Sequence, residues 1–100
     1  QHLKKIPIPE ISFSETSLFY LGLEYINADN YEVAEALFRQ TIKDDPAYFG
    51  GHYGMGNLCY ELDRNEEAIG FLRTSVDLAR EEHAGMASFA QKRLTELEAL

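Results

Sequence analysis

The sequence predicts an all-α fold made of stacked helix pairs, and three observations lead to that prediction. Apolar residues recur every three or four positions through most of the chain, as they do along one face of a helix. No segment alternates polar and apolar residues clearly, so we predict no strands. The sequence also matches itself after a 34-residue shift. A repeat of that length is typical of a solenoid, in which neighbouring units share a core.

The segment over residues 1–13 differs from the rest of the chain. Pro7 and Pro9 disfavour a helix at their own positions and at the residues before them, so we predict that this segment is extended or a linker. A serine then supplies the start of the first helix, either Ser12 or Ser14, because its side-chain oxygen accepts hydrogen bonds from backbone N–H groups that have no partner in the helix.

Five helices follow in the predicted order. Polar turns and the Asp45-Pro46 pair separate them, since proline cannot continue the hydrogen bonding of a helix. The first ends near the turn at residues 28–30, and the other four occupy about residues 31–44, 47–61, 66–82 and 84–99.

The 34-residue shift aligns Gly22 with Gly56, Ala34 with Ala68 and Asp29 with Asp63. The first copy resembles the tetratricopeptide repeat, whose pattern is W-x2-L-G-x2-Y, then A-x3-F, then P. It matches that pattern at Leu18, Leu21, Gly22, Tyr25, Ala34, Phe38 and Pro46.

The second copy is weaker and matches at His52, Met55, Gly56, Cys59, Ala68 and Leu72. Arg80 stands where proline is expected, which predicts that the closing helix of this repeat runs past the usual end. A partial third copy around Met86, Ala90 and Arg93 resembles the family's terminal solvating helix.

The resemblance implies a fragment of a right-handed superhelix, an α-solenoid of antiparallel helix pairs. The predicted single domain covers residues 14–100, with repeat 1 at about 15–48, repeat 2 at about 49–82 and a capping helix at about 84–99. Within each pair we expect the glycine of the first helix to lie where the alanine of the second approaches, as Gly22 with Ala34 and Gly56 with Ala68.

Composition and motifs argue against several kinds of function. The net charge of −8 opposes binding to nucleic acid or to anionic lipid. Residues 51–56 read G-x-x-G-x-G, which follows a helix end rather than a strand and lacks the G-K-[ST] ending of a P-loop. His52 and Cys59 lie about 10.5 Å apart along one helix, too far to share a zinc ion. We therefore predict no catalysis, no cofactor and no metal.

The cysteine content bears on the cellular setting. A single cysteine cannot form an internal disulfide, which favours a reducing compartment such as the cytoplasm. The chain begins with Gln1 rather than Met, which suggests a piece of a longer protein.

Function is predicted from the family resemblance, which implies that the first helices of successive pairs line a concave groove for a peptide or a partner helix. Only Asn57 matches the residues with which some family members hold a C-terminal carboxylate, so a segment with apolar anchors is the better prediction. The predicted groove residues are Phe19, Leu23, Ile26, Tyr53, Gly54, Asn57 and Tyr60, with Ala84, Ala87 and Gln91 at the far end.

Two alternatives remain open for these residues. Leu23 and Ile26 are equally well explained by packing between the repeats. Gly50 and Gly54 either expose the backbone of the groove floor to a partner chain or form a tolerated, weak helix start.

Self-association is the second functional hypothesis. Ile6, Ile8, Ile11 and Phe13 form an apolar strip that would fit the groove of the same chain or of a second copy, giving a closed monomer or a homodimer. An enzymatic or cofactor-binding role is the third hypothesis.

Overall fold

A computed structural model describes residues 14–100, which form two antiparallel helix pairs and a closing helix. The extended segment predicted for residues 1–13 lies outside the described residues. The helices are α1 (Glu15–Asn27), α2 (Tyr31–Asp44), α3 (Phe49–Glu61), α4 (Asn65–Leu78) and α5 (Ala84–Glu98), with a short 3-10 turn (Glu81–His83) before α5.

The repeat is visible in the backbone itself. A 34-residue shift carries both ends of α1 onto those of α3 and both ends of α2 onto those of α4. The turns between paired helices match as well, since Asp29 has a φ of 59° and Asp63 a φ of 57°. Aspartate tolerates this left-handed conformation. It lets the backbone N–H of the next residue donate a hydrogen bond to a carbonyl group of the preceding helix.

Helix starts follow the predicted capping chemistry in the first repeat. Ser14, one of the two predicted serines, accepts a hydrogen bond from the Ser17 N–H at 3.2 Å. Asn30 accepts one from the Val33 N–H at 3.4 Å and begins α2 in the same way.

The end of α4 differs from the prediction. The helix stops at Leu78 rather than near residue 82, and Ala79 and Arg80 have extended backbones. The turn that follows is held by His83, whose Nδ1 accepts a hydrogen bond from the Arg80 N–H at 3.1 Å. The same ring stacks on Phe49, with centroids 3.9 Å apart. The expectation that a missing proline lengthens this helix is therefore wrong, because a packed histidine stabilises the turn.

The centre of the fold is the ring of Phe38, which is fully buried. It reaches from α2 to the backbones of Gly22 on α1 and Gly54 on α3. A Cβ atom at Gly22 would lie 2.7 Å from Phe38 Cζ, and one at Gly54 would overlap the same ring. The close neighbour of Gly22 is thus Phe38, not Ala34 as predicted, although Ala34 is also fully buried.

The second helix pair repeats this contact with a smaller side chain. A Cβ at Gly56 would lie 2.6 Å from Leu72 Cδ2, so the close neighbour of Gly56 is Leu72 rather than Ala68. Leu72 and Gly56 occupy the positions in the second repeat that Phe38 and Gly22 occupy in the first. Both repeats therefore seat a large apolar side chain of the second helix against a glycine of the first.

Helix α3 is enclosed on nearly all sides, which explains its glycines. Ten of its residues are buried, from Phe49 to Cys59 with only His52 left half-exposed. Gly50 lies against the ring of Tyr48, and Gly51 lies against Ile42. Gly54 fits neither prediction, because the Phe38 ring of the same chain occupies the space beside it. The ring of Tyr48 lies beside Gly50, so Gly50 is not open to a partner chain, and the start of α3 has no side-chain cap.

An ion-pair network connects the two repeats on the outer side. The Arg64 guanidinium donates two hydrogen bonds to Glu67, at 2.8 and 2.9 Å, and a third to Glu35 on α2 at 3.1 Å. Hydrogen bonds from Arg64, and secondarily from Arg39, hold the pKa of the Glu35 carboxyl below its ordinary value. Arg64 thus links the start of α4 to α2.

Among residues 14–100, no helix covers the outer face of α1 in the way that α2 covers α3. Tyr20 is 55% exposed and Leu21 is 39% exposed, whereas their equivalents in the second repeat, Gly54 and Met55, are buried against other helices. Leu21 therefore lies at the surface even though it was predicted as a structural repeat position.

The packing around Phe38 predicts opposite effects for two glycine substitutions. Gly54→Ala should lower the free energy of unfolding by about 1 to 3 kcal/mol, because its methyl group overlaps the Phe38 ring. Gly70→Ala is the control, since Gly70 lies inside α4 and no atom comes within 4 Å of the place that its new methyl group would take.

The control should raise the free energy of unfolding by about 0.5 to 1 kcal/mol through helix propensity alone. Urea denaturation of the two variants measures both effects. A Gly54→Ala protein as stable as the Gly70→Ala protein would contradict the packing described for Phe38.

Candidate functional site: a groove between α1, α3 and α5

A groove of about 390 Å³ lies on one side of the solenoid, where α1, α3 and α5 meet. It is formed by the first helix of each pair and by the closing helix, as the prediction required. Its lining is Leu23, Ile26 and Asn27 from α1, Tyr53, Asn57 and Glu61 from α3, and Met86, Phe89 and Arg93 from α5.

Four of the predicted groove residues are brought together here. Leu23 and Ile26 are half-buried, so they pack against the core and also face the groove. Tyr53 was predicted to be exposed to a ligand but is buried, at 7% exposed, and forms part of the floor. Burial raises the pKa of its phenol above the ordinary value. Asn57 lies one helical turn further along α3.

The other three predicted groove residues do not line it. Phe19 was predicted to be exposed to a ligand but is only 1% exposed, because its ring packs among those of Phe38, Phe49 and Tyr53. Gly54 faces Phe38 in the core. The Tyr60 ring lies under the Arg93 guanidinium, and its hydroxyl donates to Glu96.

The far wall of the groove also differs from the prediction. A 34-residue shift from Tyr53 and Asn57 leads to Ala87 and Gln91, yet Met86, Phe89 and Arg93 line the groove, and Ala84 does not. Each of the three lining residues lies two positions after the one expected from the repeat, and α5 itself begins one residue later than the 34-residue shift requires. The three lining residues are spaced three and four positions apart, so they lie on one face of α5. This face is next to the one that buries Ala90 and Leu94.

Arg93 joins the two walls of the groove. Its guanidinium carbon lies 4.0 Å from the centre of the Tyr60 ring and 4.6 Å from that of Phe89. Its Nη1 is 3.7 Å from the Glu61 carboxylate, too long for a hydrogen bond. Arg93 is thus held mainly by two aromatic faces and by the charge of Glu61.

Asn57 carries a polar atom without a partner. Its Nδ2 donates to the Tyr53 carbonyl at 3.0 Å, which orients the amide. Its Oδ1 is buried and accepts no hydrogen bond from the described residues, and Asn57 as a whole is only 8% exposed. A buried acceptor without a hydrogen bond destabilises the folded state by about 1 to 3 kcal/mol, so such an atom is unusual in a folded protein.

The residues considered for chemistry are placed as follows. Cys59 is fully buried, and burial raises the pKa of its thiol, which makes it a poor nucleophile. The His52 Nε2 donates to the Pro46 carbonyl at 2.9 Å. Within residues 14–100, no group of three His, Cys, Asp or Glu side chains has a geometry that would hold a metal ion. No helix in that range is long and apolar enough to cross a membrane.

The helix pairs, the 34-residue register and the groove together define an α-solenoid. Its structure is similar to the crystal structure of a tetratricopeptide repeat domain protein from Salinibacter ruber, with a TM-score of 0.76 and 31% identity over 88% of this chain and 99% of that one. A solution NMR structure of a tetratricopeptide repeat domain protein from Salinibacter ruber matches with a TM-score of 0.73 and 32% identity, over 87% and 89% of the two chains.

The chain therefore belongs to the tetratricopeptide repeat family, as its motifs predicted. Neither a protein-family model nor a curated protein matches the sequence. Of the family positions, Ala34, Phe38, Ala68, Leu72 and Ala90 are completely buried, Gly22 and Gly56 are buried, Tyr25 is half-buried, and Leu21 and Pro46 are exposed.

The environment of Arg93 predicts a larger contribution to stability than a surface arginine makes. Arg93→Ala should lower the free energy of unfolding by about 1 to 2 kcal/mol, because it removes two cation–π contacts from a partly desolvated site. Arg73→Ala is the matched control, since Arg73 is exposed and pairs with Glu98 at the surface. Its loss should cost between about 0 and 1 kcal/mol. If urea denaturation showed the same loss of unfolding free energy for both variants, the stacking around Arg93 would add nothing to stability.

Proposed function

We propose that this domain is a protein-interaction module that receives a peptide or a partner helix in the groove between α1, α3 and α5. The tetratricopeptide repeat fold is in general a non-catalytic scaffold for protein–protein interaction, which supports the broader part of the proposal. The composition of the groove supports the more specific part, which is that a peptide or a partner helix binds in this groove.

The observation that carries the proposal is the mixed lining of the groove. Leu23, Ile26, Met86 and Phe89 offer apolar surface, and Phe89 is 44% exposed although it is a large aromatic residue. Asn57, Glu61 and Arg93 add a few polar groups among them. Apolar and aromatic anchors with a small number of polar groups are typical of surfaces that bind another protein.

Affinity capture tests this assignment with a groove variant and a matched control. Met86→Ala combined with Phe89→Ala removes apolar surface from one wall. Val33→Ala is the control, because Val33 is similarly exposed, at 37%, but lies on α2 away from the groove.

Proteins captured from the native extract by the unaltered domain should be recovered in full by the control. The groove variant should recover them about tenfold less, since truncation of an interface anchor costs at least ~1 kcal/mol. Equal recovery by both variants would contradict binding in the groove, provided that both variants melt as folded proteins.

A second candidate function is self-association through residues 1–13, and two observations favour it. Leu3, Lys4, Lys5 and Ile6 combine apolar side chains with positive charge, whereas the chain as a whole has a net charge of −8. The segment also has the necessary reach, because a fully extended segment of this length spans up to about 43 Å, whereas Ile26 lies only about 17 Å along α1 from its start.

Comparison of the full chain with a Lys4→Glu, Lys5→Glu variant tests this candidate. If the segment docks, the variant should exchange backbone amide hydrogens faster around Tyr53 and Asn57, because reversed charge weakens docking on an acidic domain. Light scattering across a concentration series then separates docking within one chain from a dimer. Unchanged amide exchange together with unchanged mass would remove self-association from consideration.

A further inference from the structure

We infer that residues 1–13 of this chain dock on the outer face of α1, where they take the place that α2 has on α3. This outer face is the side of α1 turned away from the core, and its members are Ser17, Tyr20, Leu21 and Glu24. The inference does not depend on ligand binding in the groove. It competes with the second candidate function, because the same segment cannot lie in the groove at the same time.

The repeat indicates which part of the chain covers this face. The equivalent face of α3 is covered by the helix that precedes it in sequence, since Ile42 lies against Gly51 and Phe38 lies against Gly54. The 34-residue shift that relates the repeats places residues 1–10 at the positions of residues 35–44 in α2. The segment before α1 therefore corresponds in sequence to the helix that covers α3.

An extended segment fits this face better than a helix does. Tyr20 occupies the position equivalent to Gly54, so α1 carries a ring of its own where α3 leaves room for the Phe38 ring. A helix with its side chains is about 10 to 12 Å across, so it could not approach this face as closely as α2 approaches α3. The two prolines that favour an extended backbone also lack an N–H group, so docking leaves fewer donors without a partner.

The segment also has the length that this face requires. Counted from Ser14, an extended chain advances about 3.3 Å per residue and a helix about 1.5 Å. If the segment runs back along α1, Ile11 reaches about 10 Å, level with Leu21, and Ile8 reaches about 20 Å, level with Asn27. Along this stretch lies a depression of about 530 Å³, whose described lining belongs to α1 and includes two exposed apolar side chains. The two isoleucines can thus cover that apolar surface.

Charge favours the same location. Helix α1 contains two glutamates and neither lysine nor arginine, and its last turn has no basic residue. Full extension places Lys5 about 30 Å from Ser14, past the end of α1 at about 20 Å. Lys4 and Lys5 then lie beyond the carbonyl end of the helix, on the side of the exposed Asp29. A positive charge is stabilising at that end of a helix.

A double variant, Ile8→Ser with Ile11→Ser, tests this docking in the full chain. Both substitutions lie outside residues 14–100, so the helices keep all their own side chains. In ¹⁵N spectra, the backbone amide signals of the outer face should shift, because the face loses its apolar cover. The amide signals of Met86 and Phe89 in the groove should stay where they are.

The matched control is Ile6→Ser, the same substitution further along the same segment. Full extension places Ile6 about 26 Å from Ser14, beyond the end of α1, so this variant should shift the outer-face signals less than the double variant does. Lys4→Glu with Lys5→Glu should weaken docking up to about fivefold, as expected for exposed ion pairs. Its outer-face signals should lie between those of the unaltered chain and those of the double isoleucine variant.

Three results would overturn the inference. The first is a double isoleucine variant whose outer-face signals are unchanged. The second is a shift of the Met86 and Phe89 signals instead, which would place the segment in the groove. The third is a change of the outer-face signals when the unaltered chain is diluted tenfold, because the occupant would then be a second copy. None of these results contradicts peptide binding in the groove, which the affinity capture tests separately.

Discussion

The Phe38 ring, packed between the backbones of Gly22 and Gly54, is the contact on which the rest of the structure depends. One side chain of α2 touches both first helices at once, and only glycine at the two positions allows so close an approach. Both α1 and α3 thereby approach the same aromatic ring. These helices also contribute residues to the groove, so the same contact holds together two of the elements that form the candidate binding site.

A layer of aromatic rings connects this centre to the groove floor. The Phe19 ring lies 6.4 Å from that of Phe38 and 6.0 Å from that of Tyr53, measured between ring centres. Phe49 adds a contact to Tyr53 at 5.9 Å and also stacks on His83 before α5. Core packing, the turn that replaces the expected proline and the groove floor are therefore parts of one aromatic cluster. Tilted and stacked rings at such distances stabilise both position and orientation.

Much of the fold could be predicted from the sequence, because helix periodicity, capping and repeat length are local signals. The starts of α2 and α5 and the Ser14 cap are at or beside their predicted positions. The end of α4 was missed, since it depends on His83 stacking against a residue from an earlier helix. Gly54 was misassigned for a related reason: its neighbour, Phe38, belongs to another helix and cannot be identified from periodicity.

The groove was harder to predict than the helices. Phe19 and Tyr53 occupy equivalent repeat positions, yet Phe19 lies beneath the rings of the next helix, while Tyr53 lies at the groove floor. Both residues are buried, but equivalence in sequence does not give equivalent neighbours at the end of a short solenoid. The wall formed by α5 shows the same limit, because Arg93 lines the groove where the repeat spacing predicted Gln91.

The most direct test of this account is a measurement of proton–proton distances around Phe38 by nuclear Overhauser effects in the full chain. The structure predicts strong cross-peaks from the ring protons of Phe38 to the α-protons of both Gly22 and Gly54, together with cross-peaks between the rings of Phe19 and Tyr53. A Phe38 ring that gives cross-peaks to only one of the two glycines would contradict the account, because α1 and α3 would then lack the shared contact that builds the groove.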